Sequence, residues 1–555
     1  MSNFPWLTTI GVIPLVGAGV VWALPKASAR GSRVVALVFS LITLVVGIVA
    51  ATQFKTGGGH GQFQLTETHS WIPQFGVSYA LGVDGMALTL ILMSLVLVPI
   101  SLLAAWNDVP EGGRREQTYF ALLLVLETFM IGVFAATDVF LFYVFFEAML
   151  IPVYFLIGLY GGPRRQYAAV KFLLFSLFGG LIMLVAVIAL YQQGPGGDHG
   201  FLVTTLTGLH MSTTTERLLF VGFFIAFAIK APMWPVHTWL PDAASESKPA
   251  VAVLLVGVLD KVGTFGMIRF CLQLFPEASR WATPVVIILA IISIVYAAIA
   301  AVGQNDMMRL IAYTSVSHFG LIVLGIFALT QTSVIGSQLY MINHGITTAA
   351  LFLFVGFLIA RGKSKNITDY GGWQRTTPIL AGVFLVAGLS ALSLPGLNSF
   401  VSEFLVLIGT FQRYPVAAGF AVTAVVLAAL YILLMYKNVF TGPKQELVAA
   451  PDGTLALGED GTRPRTGITT TLFDEPEIAK DDVPPEARVR GSAIQDLNLR
   501  ERLVAGLLIA FMLVLGFFPK PALDLLRPAV DATLQHVHVH DPAPHAGVTT
   551  EGSSK

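Results

Sequence analysis

Seven ionisable side chains lie inside long apolar stretches of this sequence, where charge is rarely found. They are Glu147, Lys230, Asp260, Lys261, His318, His344 and Glu403. A charge at the centre of a bilayer costs at least about 2.5–3.5 kcal/mol on insertion scales, so such residues normally face a bundle interior or a hydrated cavity. Carboxylates, lysines and histidines all exchange protons. The pattern therefore predicts a buried pathway for protons, and the alternative for each residue is a structural charge that only holds helices together.

Two interruptions of apolar stretches lie beside these residues. Pro232 and Pro235 follow Lys230 closely, and each proline removes a backbone donor and clashes with the preceding turn. The sequence therefore predicts a helix that breaks beside Lys230. A Pro-Gly pair at 395–396 predicts a second break shortly before Glu403. Broken backbone at membrane depth survives only where protein or water satisfies it, which favours a hydrated site at each break.

The remaining candidates occur with polar neighbours. Lys261 directly follows Asp260, and on a helix the two side chains should point about 100° apart, so each should meet a different partner. His318 and His344 each lie beside hydroxyl residues. A single buried histidine is usually structural, but two beside hydroxyls in a chain with buried lysines are typical of a proton relay.

The composition places the chain among membrane proteins. Of 555 residues, 55% are hydrophobic and 12% are charged, about half the charge of a soluble domain, and the mean hydropathy is +0.75. Lysine plus arginine balance aspartate plus glutamate at 33 each, which suggests no nucleic-acid partner. The single cysteine, Cys271, excludes a disulfide framework and a cysteine-ligated iron–sulfur cluster on this chain. We find no phosphate-binding glycine motif, and therefore expect no flavin, nicotinamide or metal cofactor on the chain itself.

The apolar stretches predict an all-α polytopic membrane protein with about fourteen transmembrane helices, since a span needs about 20 mostly apolar residues. The predicted spans lie near 5–24, 33–52, 79–105, 117–135, 138–160, 166–190, 216–239, 247–273, 281–303, 305–328, 333–360, 378–409, 415–440 and 500–520. Segments 53–78 and 191–215 should be polar loops. Segment 441–499 should be a soluble linker, and 521–555 a flexible tail whose His536, His538 and His540 are not expected to form a metal site.

The spacing of the candidates predicts an internal repeat. Glu147 and Lys230 are 83 positions apart, and His318 and Glu403 are 85 apart. We therefore predict two inverted five-helix repeats, 117–273 and 281–440, each with one broken helix, after N-terminal helices in 1–116. Lysines and arginines are enriched in one set of alternate loops, which should be cytoplasmic. Both termini would then lie outside, and the linker 441–499 would face the cytoplasm.

The motifs around these residues resemble a known family. The Pro-Val-His-x-Trp-Leu-Pro-Asp run from Pro235 to Asp242, the segment from Phe146 to Pro152 and the Ser-His-Phe-Gly around His318 resemble the antiporter-like subunits of respiratory NADH:quinone oxidoreductase. The resemblance covers nearly all of residues 79–440. The acidic residue Glu403 makes this sequence resemble one branch of the family in particular, because the sister branches usually carry lysine at this position.

The resemblance implies roles for the candidate residues. Glu147 would pair with Lys230 and hold it protonated, and opening of the pair would send the proton through Lys261, His318 and His344. Glu403 would accept it and release it to the outside. The flavin FMN, the iron–sulfur clusters and quinone would belong to partner subunits of the same complex. The chain would sit in a bacterial inner membrane beside neighbouring antiporter-like subunits.

Two features depart from the family pattern, and other functions stay open. Asp260 occupies a position where an apolar residue is expected, which puts in doubt how Lys261 titrates. The linker 441–499 is longer than expected. The same motifs would suit a subunit of a multisubunit sodium/proton antiporter or of a membrane-bound hydrogenase. A purely structural membrane scaffold is the alternative from another class.

Overall fold

Helices that could cross a membrane dominate the protein. The computed structural model describes residues 4–25, 29–56, 61–442, 447–449, 455–457, 494–539 and 541–542. Across these ranges eleven helices are long and apolar enough to span, or twelve when one bent pair counts as a single span. The multi-pass architecture is thus confirmed. The count of about fourteen and the inverted repeat stay predictions.

The N-terminal part consists of four helices and a hairpin. The elements are α1 (Trp6–Ala23), α2 (Ala29–Thr52), β1 (Gln64–Ile72), β2 (Val77–Val83), α3 (Gly85–Ala104) and α4 (Gly113–Ala135). The strands β1 and β2 pair antiparallel, so the prediction of a loop over 53–78 is wrong there, within a chain that is otherwise mostly helical. The hairpin is held to the bundle because the Glu67 carboxylate accepts the Leu7 N–H at 2.7 Å at the start of α1.

The central part contains the first predicted break. Its helices are α5 (Val139–Ala148), α6 (Leu150–Tyr160), α7 (Arg165–Gln193), α8 (Val203–Leu206), α9 (Thr213–Lys230), α10 (Trp239–Glu246), α11 (Pro249–Leu254) and α12 (Lys261–Gly266). The predicted span near 138–160 is confirmed as Val139–Tyr160, within which α5 and α6 meet at a turn at Met149. Helix α8 also interrupts the segment 191–215 that was predicted as a loop.

Two π-helical segments flank α12. They are Leu255–Leu259 and Met267–Leu272. In a π-helix the hydrogen bond spans one extra residue, so the backbone bulges locally; such bulges are frequent at functional sites. The apolar window within Pro249–Leu272 is entirely buried inside the bundle. This span therefore belongs to the interior of the protein and does not face lipid.

The second half is built around one long helix. Its helices are α13 (Pro276–Val302), α14 (Met307–Phe327), α15 (Gln331–Gly362), α16 (Pro378–Ala391), α17 (Asn398–Arg413) and α18 (Pro415–Phe440). Helix α15 packs against α11, α14, α16 and α17 and is buried over most of its length. Helices α16 and α17 replace the single predicted span 378–409, and the second predicted break is confirmed between them.

The C-terminal part differs from its prediction. A short antiparallel hairpin, β3 (Leu447–Ala449) with β4 (Leu455–Leu457), lies in the linker 441–499, most of which is outside the described residues. Helix α19 (Leu499–Phe517) is followed after a 68° bend by α20 (Lys520–Val537). The prediction of a flexible tail is therefore wrong for this segment. His540 and residues 543–555 lie outside the described residues.

The tail forms a helix because it has an apolar face. Leu526, Val530 and Leu534 recur every four residues and are buried, while the opposite face carries polar side chains. Helix α20 packs on α3 and α15, and its backbone at Leu525 lies so close to Gly85 that any side chain there would overlap it. Helix α20 thus contacts both halves of the bundle.

Candidate functional site

The first break lies where the two prolines predict it. Helix α9 ends at Lys230 and α10 begins at Trp239. The break frees backbone groups that side chains then satisfy. The Trp239 indole N–H donates to the Ile229 carbonyl at 2.9 Å, and the Trp234 N–H donates to the Ser293 hydroxyl at 2.8 Å. Such compensation is what allows irregular backbone inside a membrane.

The Lys230 ammonium is buried without a hydrogen-bonding partner. Its residue is 1% exposed, and Nζ contacts no acceptor in the described part of the chain. It lies 4.9 Å from the ring centroid of Phe146 and 5.6 Å from that of Phe172. The negative faces of aromatic rings attract a cation, so the two rings partly replace the water that Lys230 has lost.

Glu147 lies near the end of α5, close enough to Lys230 for their charges to attract. They share no hydrogen bond, since Lys230 Nζ and the buried Glu147 Oε1 both lack partners among the described residues. Gly180 on α7 leaves the space that this carboxylate occupies, because a Cβ at Gly180 would overlap Glu147 Oε1. The pair is thus adjacent but open.

Lys261 has direct partners. Its Nζ donates to the Val256 carbonyl at 2.7 Å, in the first π-helical segment, and contacts His344 Nδ1 at 2.7 Å. When the lysine is charged, Nδ1 must accept, so the ring proton is on Nε2, which lies 3.2 Å from the Thr348 hydroxyl. One hydrogen bond therefore joins a lysine on α12 to a histidine on α15, and a proton can cross it directly.

Asp260 is fully buried inside the bundle and directly precedes Lys261. The residue is 0% exposed, and neither carboxylate oxygen has a hydrogen-bonding partner in the described structure. The charges of Lys261 and Lys230 both act on it. Among the candidate residues in the structure described, only the Asp260 carboxylate interacts electrostatically with both lysines.

The rings of His318 and Tyr340 connect His344 to Glu403. The imidazoles of His318 and His344 are 5.4 Å apart between centroids, and His318 is 5.8 Å from the Tyr340 ring. The Tyr340 hydroxyl donates to Glu403 Oε2 at 3.4 Å, and the Ser393 hydroxyl donates to the same oxygen. Glu403 thus has two donors, whereas Glu147 Oε1 has none.

The second break is held by a reciprocal amide pair. Helix α16 ends at Ala391 and α17 begins at Asn398, and Gly396 between them takes a φ of +92° that favours glycine. Asn343 Nδ2 donates to the Asn398 carbonyl at 2.7 Å, and Asn398 Nδ2 donates to the Asn343 carbonyl at 3.0 Å. Ser390 donates to the Asn398 side-chain oxygen at 2.6 Å. These bonds fix the broken helix to α15.

An ionic cluster lies at the far end of the first broken helix. Asp242 accepts from Lys171 at 2.6 Å and from Arg309 at 2.5 Å, which links α10 to α7 and α14. Glu246 lies 3.4 Å from Lys365. Asp242 is the last residue of the Pro-Val-His-x-Trp-Leu-Pro-Asp run, and its two ion pairs anchor α10 to the neighbouring helices.

The structure thus places the six predicted site residues in two groups. Glu147 and Lys230 form the first, beside the first break. Lys261, His344, His318 and Glu403 form the second, which reaches the second break. Asp260 lies between the groups. The roles of these residues in proton transfer stay predictions.

Sequence reasoning missed three buried polar residues. Tyr340 contacts both His318 and Glu403, and its position four residues before His344, on the same helix face, was the signal that could have revealed it. Glu127 lies in α4 with both oxygens unpaired in the structure described. His237 is 2% exposed, has no partner for either ring nitrogen in the part of the chain that the structure describes, and lies 5.3 Å from the Tyr296 ring between ring centroids. Both stand out as ionisable residues in largely apolar stretches.

Metal ligands are not gathered anywhere in the part of the chain that the structure describes. No group of three or more His, Cys, Asp or Glu side chains there could hold an ion. The site residues are single acids and bases spaced along the interior, which suits proton exchange.

Protein-family models match most of the length of this chain. A model described as "NADH:quinone oxidoreductase/Mrp antiporter, TM" matches residues 136–429, and one described as "NADH-ubiquinone oxidoreductase chain 4, amino terminus" matches 61–133. The NADH-quinone oxidoreductase subunit M of Mycobacterium tuberculosis is 47% identical over 98% of this chain and 96% of its own. That of Rhodobacter capsulatus is 36% identical over 96% and 97%.

Solved structures share the fold. A chain of respiratory complex I from Thermus thermophilus with bound NADH matches 96% of this chain and 99% of its own, with a TM-score of 0.79 and 28% identity. A chain of the Mrp complex from a Dietzia species matches 97% of this chain and 100% of its own, with a TM-score of 0.79 and 23% identity. The second likeness concerns the fold alone.

Proposed function

The chain belongs to the NADH:quinone oxidoreductase/Mrp antiporter family of membrane subunits, and on that premise we propose that it is the proton-translocating subunit M of a respiratory NADH:quinone oxidoreductase. The observation that carries the proposal is the buried series from Glu147 to Glu403. An acidic residue at the second break supports the M branch, because the sister branches usually carry lysine there. The relatives named subunit M support the same assignment over nearly the full length.

The proposed mechanism begins at the open pair. When Glu147 approaches Lys230, the carboxylate stabilises the ammonium and the lysine takes up a proton. Two unit charges about 4 Å apart interact by about 4 kcal/mol at an effective dielectric near 20, enough to change a proton-transfer equilibrium about 1,000-fold. When the pair separates, Lys230 loses this partner and passes its proton towards Lys261. Gly180 gives the carboxylate room for this motion.

The second half then conducts the proton to Glu403. The hydrogen bond between Lys261 and His344 supplies the first transfer, and the rings of His318 and Tyr340 lead on to the carboxylate. Glu403 then releases the proton to the outside. Reduction of quinone elsewhere in the complex drives the cycle. This chain acts as one subunit of that translocase and supplies no redox centre.

The proposal includes partners and location. FMN, iron–sulfur clusters and quinone belong to other subunits, and neighbouring antiporter-like subunits lie beside this chain in the lipid bilayer. The membrane is a bacterial inner membrane, and both termini lie outside. A subunit of a sodium/proton antiporter or a membrane-bound hydrogenase is the alternative, because the fold is shared with the Mrp complex.

Co-purification tests the assignment. A tag after the last residue is used to isolate the chain from gently solubilised membranes. We expect flavin absorbance and inhibitor-sensitive NADH:quinone activity to co-purify with the tag. Capture of membrane subunits without redox activity would instead favour the antiporter, and sodium-dependent proton flux in vesicles would then be measured.

A lysine variant tests the mechanism. In Lys230→Ala we expect the complex to assemble and its quinone-linked proton pumping to fall about 100-fold, the usual contribution of an acid–base group. Lys437→Ala, which removes an exposed lysine from the last turn of α18, is the matched control and should pump normally. Wild-type pumping by Lys230→Ala would contradict the mechanism.

A further inference from the structure

Asp260 is a buried carboxylate to which the mechanism so far gives no role. It lies between the first π-helical segment, which ends at Leu259, and α12, and both its oxygens lack protein partners in the described structure. A buried charge without hydrogen bonds is costly, so such a group persists only with compensation. Here the compensation comes from the two lysines whose charges act on it.

The packing of α12 places Asp260 on the side of Lys230. Gly263 is three residues after Asp260 and so lies on the same helix face. That face contacts the end of α9, because a Cβ at Gly263 would lie 2.5 Å from the backbone of both Phe227 and Ala231. Ala231 is the residue that follows Lys230. Asp260 therefore faces the first break.

The Lys261 side chain has a different direction. It leaves the helix about 100° from Asp260 and reaches α15, where it contacts His344. The neighbouring residues Asp260 and Lys261 thus point towards the two different groups of the site. In the described structure, Asp260 is the acid–base group that interacts electrostatically with both Lys230 and Lys261.

We propose that Asp260 relays protons between Lys230 and Lys261 and so joins the first group of the site to the second. The inference rests on the proposed function and adds a step to it. The Lys230 ammonium gives a proton to the Asp260 carboxylate, which leaves a neutral amine and a carboxylic acid. The acid then gives the proton to neutral Lys261, which becomes an ammonium, and Asp260 returns to its charged form. Water bridges the transfers, since a buried carboxylate without protein donors is normally hydrated.

A fixed counter-ion is the alternative to a relay. A counter-ion would stabilise both lysines but keep its charge throughout the cycle. A relay must become a carboxylic acid once per cycle. The two roles therefore differ in a spectroscopic signal, the C=O stretching band of a protonated carboxyl group, which appears in infrared difference spectra during turnover.

The experiment uses the intact complex in proteoliposomes. Asp260→Asn keeps the size of the side chain but cannot accept the proton, and we expect pumping to fall about tenfold or more. Asp260→Glu should recover much of the rate. Glu127→Gln is the matched control, because Glu127 is also fully buried with both oxygens unpaired but, in the structure described, under no influence from a lysine. NADH oxidation by an artificial acceptor reports assembly in each variant.

The infrared signal separates the possible outcomes. Glu403 also becomes a carboxylic acid in the proposed cycle, so the signal of Asp260 is the carboxyl band that the Asp260 variants change. We expect this band in the wild-type complex and in Glu127→Gln, its loss in Asp260→Asn, and a shifted band in Asp260→Glu. Wild-type pumping by an assembled Asp260→Asn complex would overturn the inference, and so would slow pumping with the band unchanged. If the wild-type complex itself fails to couple proton transfer to quinone reduction, the proposed function fails instead.

Discussion

Each of the two broken helices lies beside buried ionisable residues, but the hydrogen bonding of these residues differs between the two breaks. At the first break, Lys230 Nζ, Glu147 Oε1 and both Asp260 oxygens have no hydrogen-bonding partner in the described structure. At the second break, Glu403 accepts two hydrogen bonds, and Asn398 is bound to α15. The first break thus contains charges that are close but not connected, and the second contains groups that are already connected.

This difference predicts that the first break controls proton transfer and that the second break conducts protons. Groups without a fixed partner change their interactions when a neighbouring helix moves slightly, because a few tenths of an ångström decide whether a hydrogen bond forms. Groups with fixed partners transmit a proton without rearrangement. We therefore expect control of the cycle to lie at the first break and conduction at the second.

The largest expected effect comes from closing the space beside Glu147. In Gly180→Ala the new methyl group would overlap the carboxylate and displace it from Lys230. We expect pumping by the assembled complex to fall about 100-fold, the scale of a misplacement by about 1 Å at a reactive site. Gly382→Ala, where a Cβ meets nothing within 4 Å, is the control and should pump normally. Normal pumping by Gly180→Ala would mean that the position of Glu147 does not control the first break.

The next effect concerns stability at the two breaks. Asn398→Ala removes the bond to the Asn343 carbonyl and the bond that the Ser390 hydroxyl donates to the Asn398 side chain, at a cost of about 2 kcal/mol. Trp239→Phe removes a single bond, to Ile229, and should cost about 1 kcal/mol. The thermal unfolding midpoint of the purified complex should therefore fall further for Asn398→Ala. The reverse order would show that the second break is not the more firmly held.

The smallest effect is expected at the second break, where Tyr340 contacts Glu403. Tyr340→Phe removes one long hydrogen bond to Glu403 and keeps the ring beside His318, and the Ser393 bond remains. We expect pumping to slow about threefold, as the loss of one weak hydrogen bond implies. Initial rates of proton release in proteoliposomes measure this, with Tyr414→Phe, outside the site, as the control. A loss as large as that of Gly180→Ala would place a second control point at Glu403.

Much of the fold could be predicted from local sequence. Apolar runs located the spans, and prolines located both breaks because their effect on the backbone is local. The turn at Met149 has a sequence signal in Pro152, three residues later, which has no N–H for the carbonyl of Ala148. The π-helical segments beside α12 could not be predicted, since the apolar and glycine residues there do not distinguish a π-helix from an α-helix. The hairpin of β1 and β2 was missed because its polar residues were taken for a loop.

The candidate residues follow from residue type, but the contacts between them do not. Ionisable residues in apolar runs indicated the six candidates and Asp260, and their role as a site stays a prediction. Which of them meet was not predictable, because Lys261 and His344 are brought together from positions 83 residues apart. The space that Gly180 leaves for Glu147 likewise depends on how α7 packs on α5.

Helix α20 has a consequence for the biogenesis of this protein. Its side chain Asp531 accepts from the Gln331 side chain at 2.5 Å, and Asp541 accepts from the Gln331 N–H at 2.9 Å, at the start of α15. The ribosome makes α20 after α15, so the start of the helix that carries His344 stays uncovered until α20 has been synthesised. A chain that lacks α20 would therefore expose this end of α15.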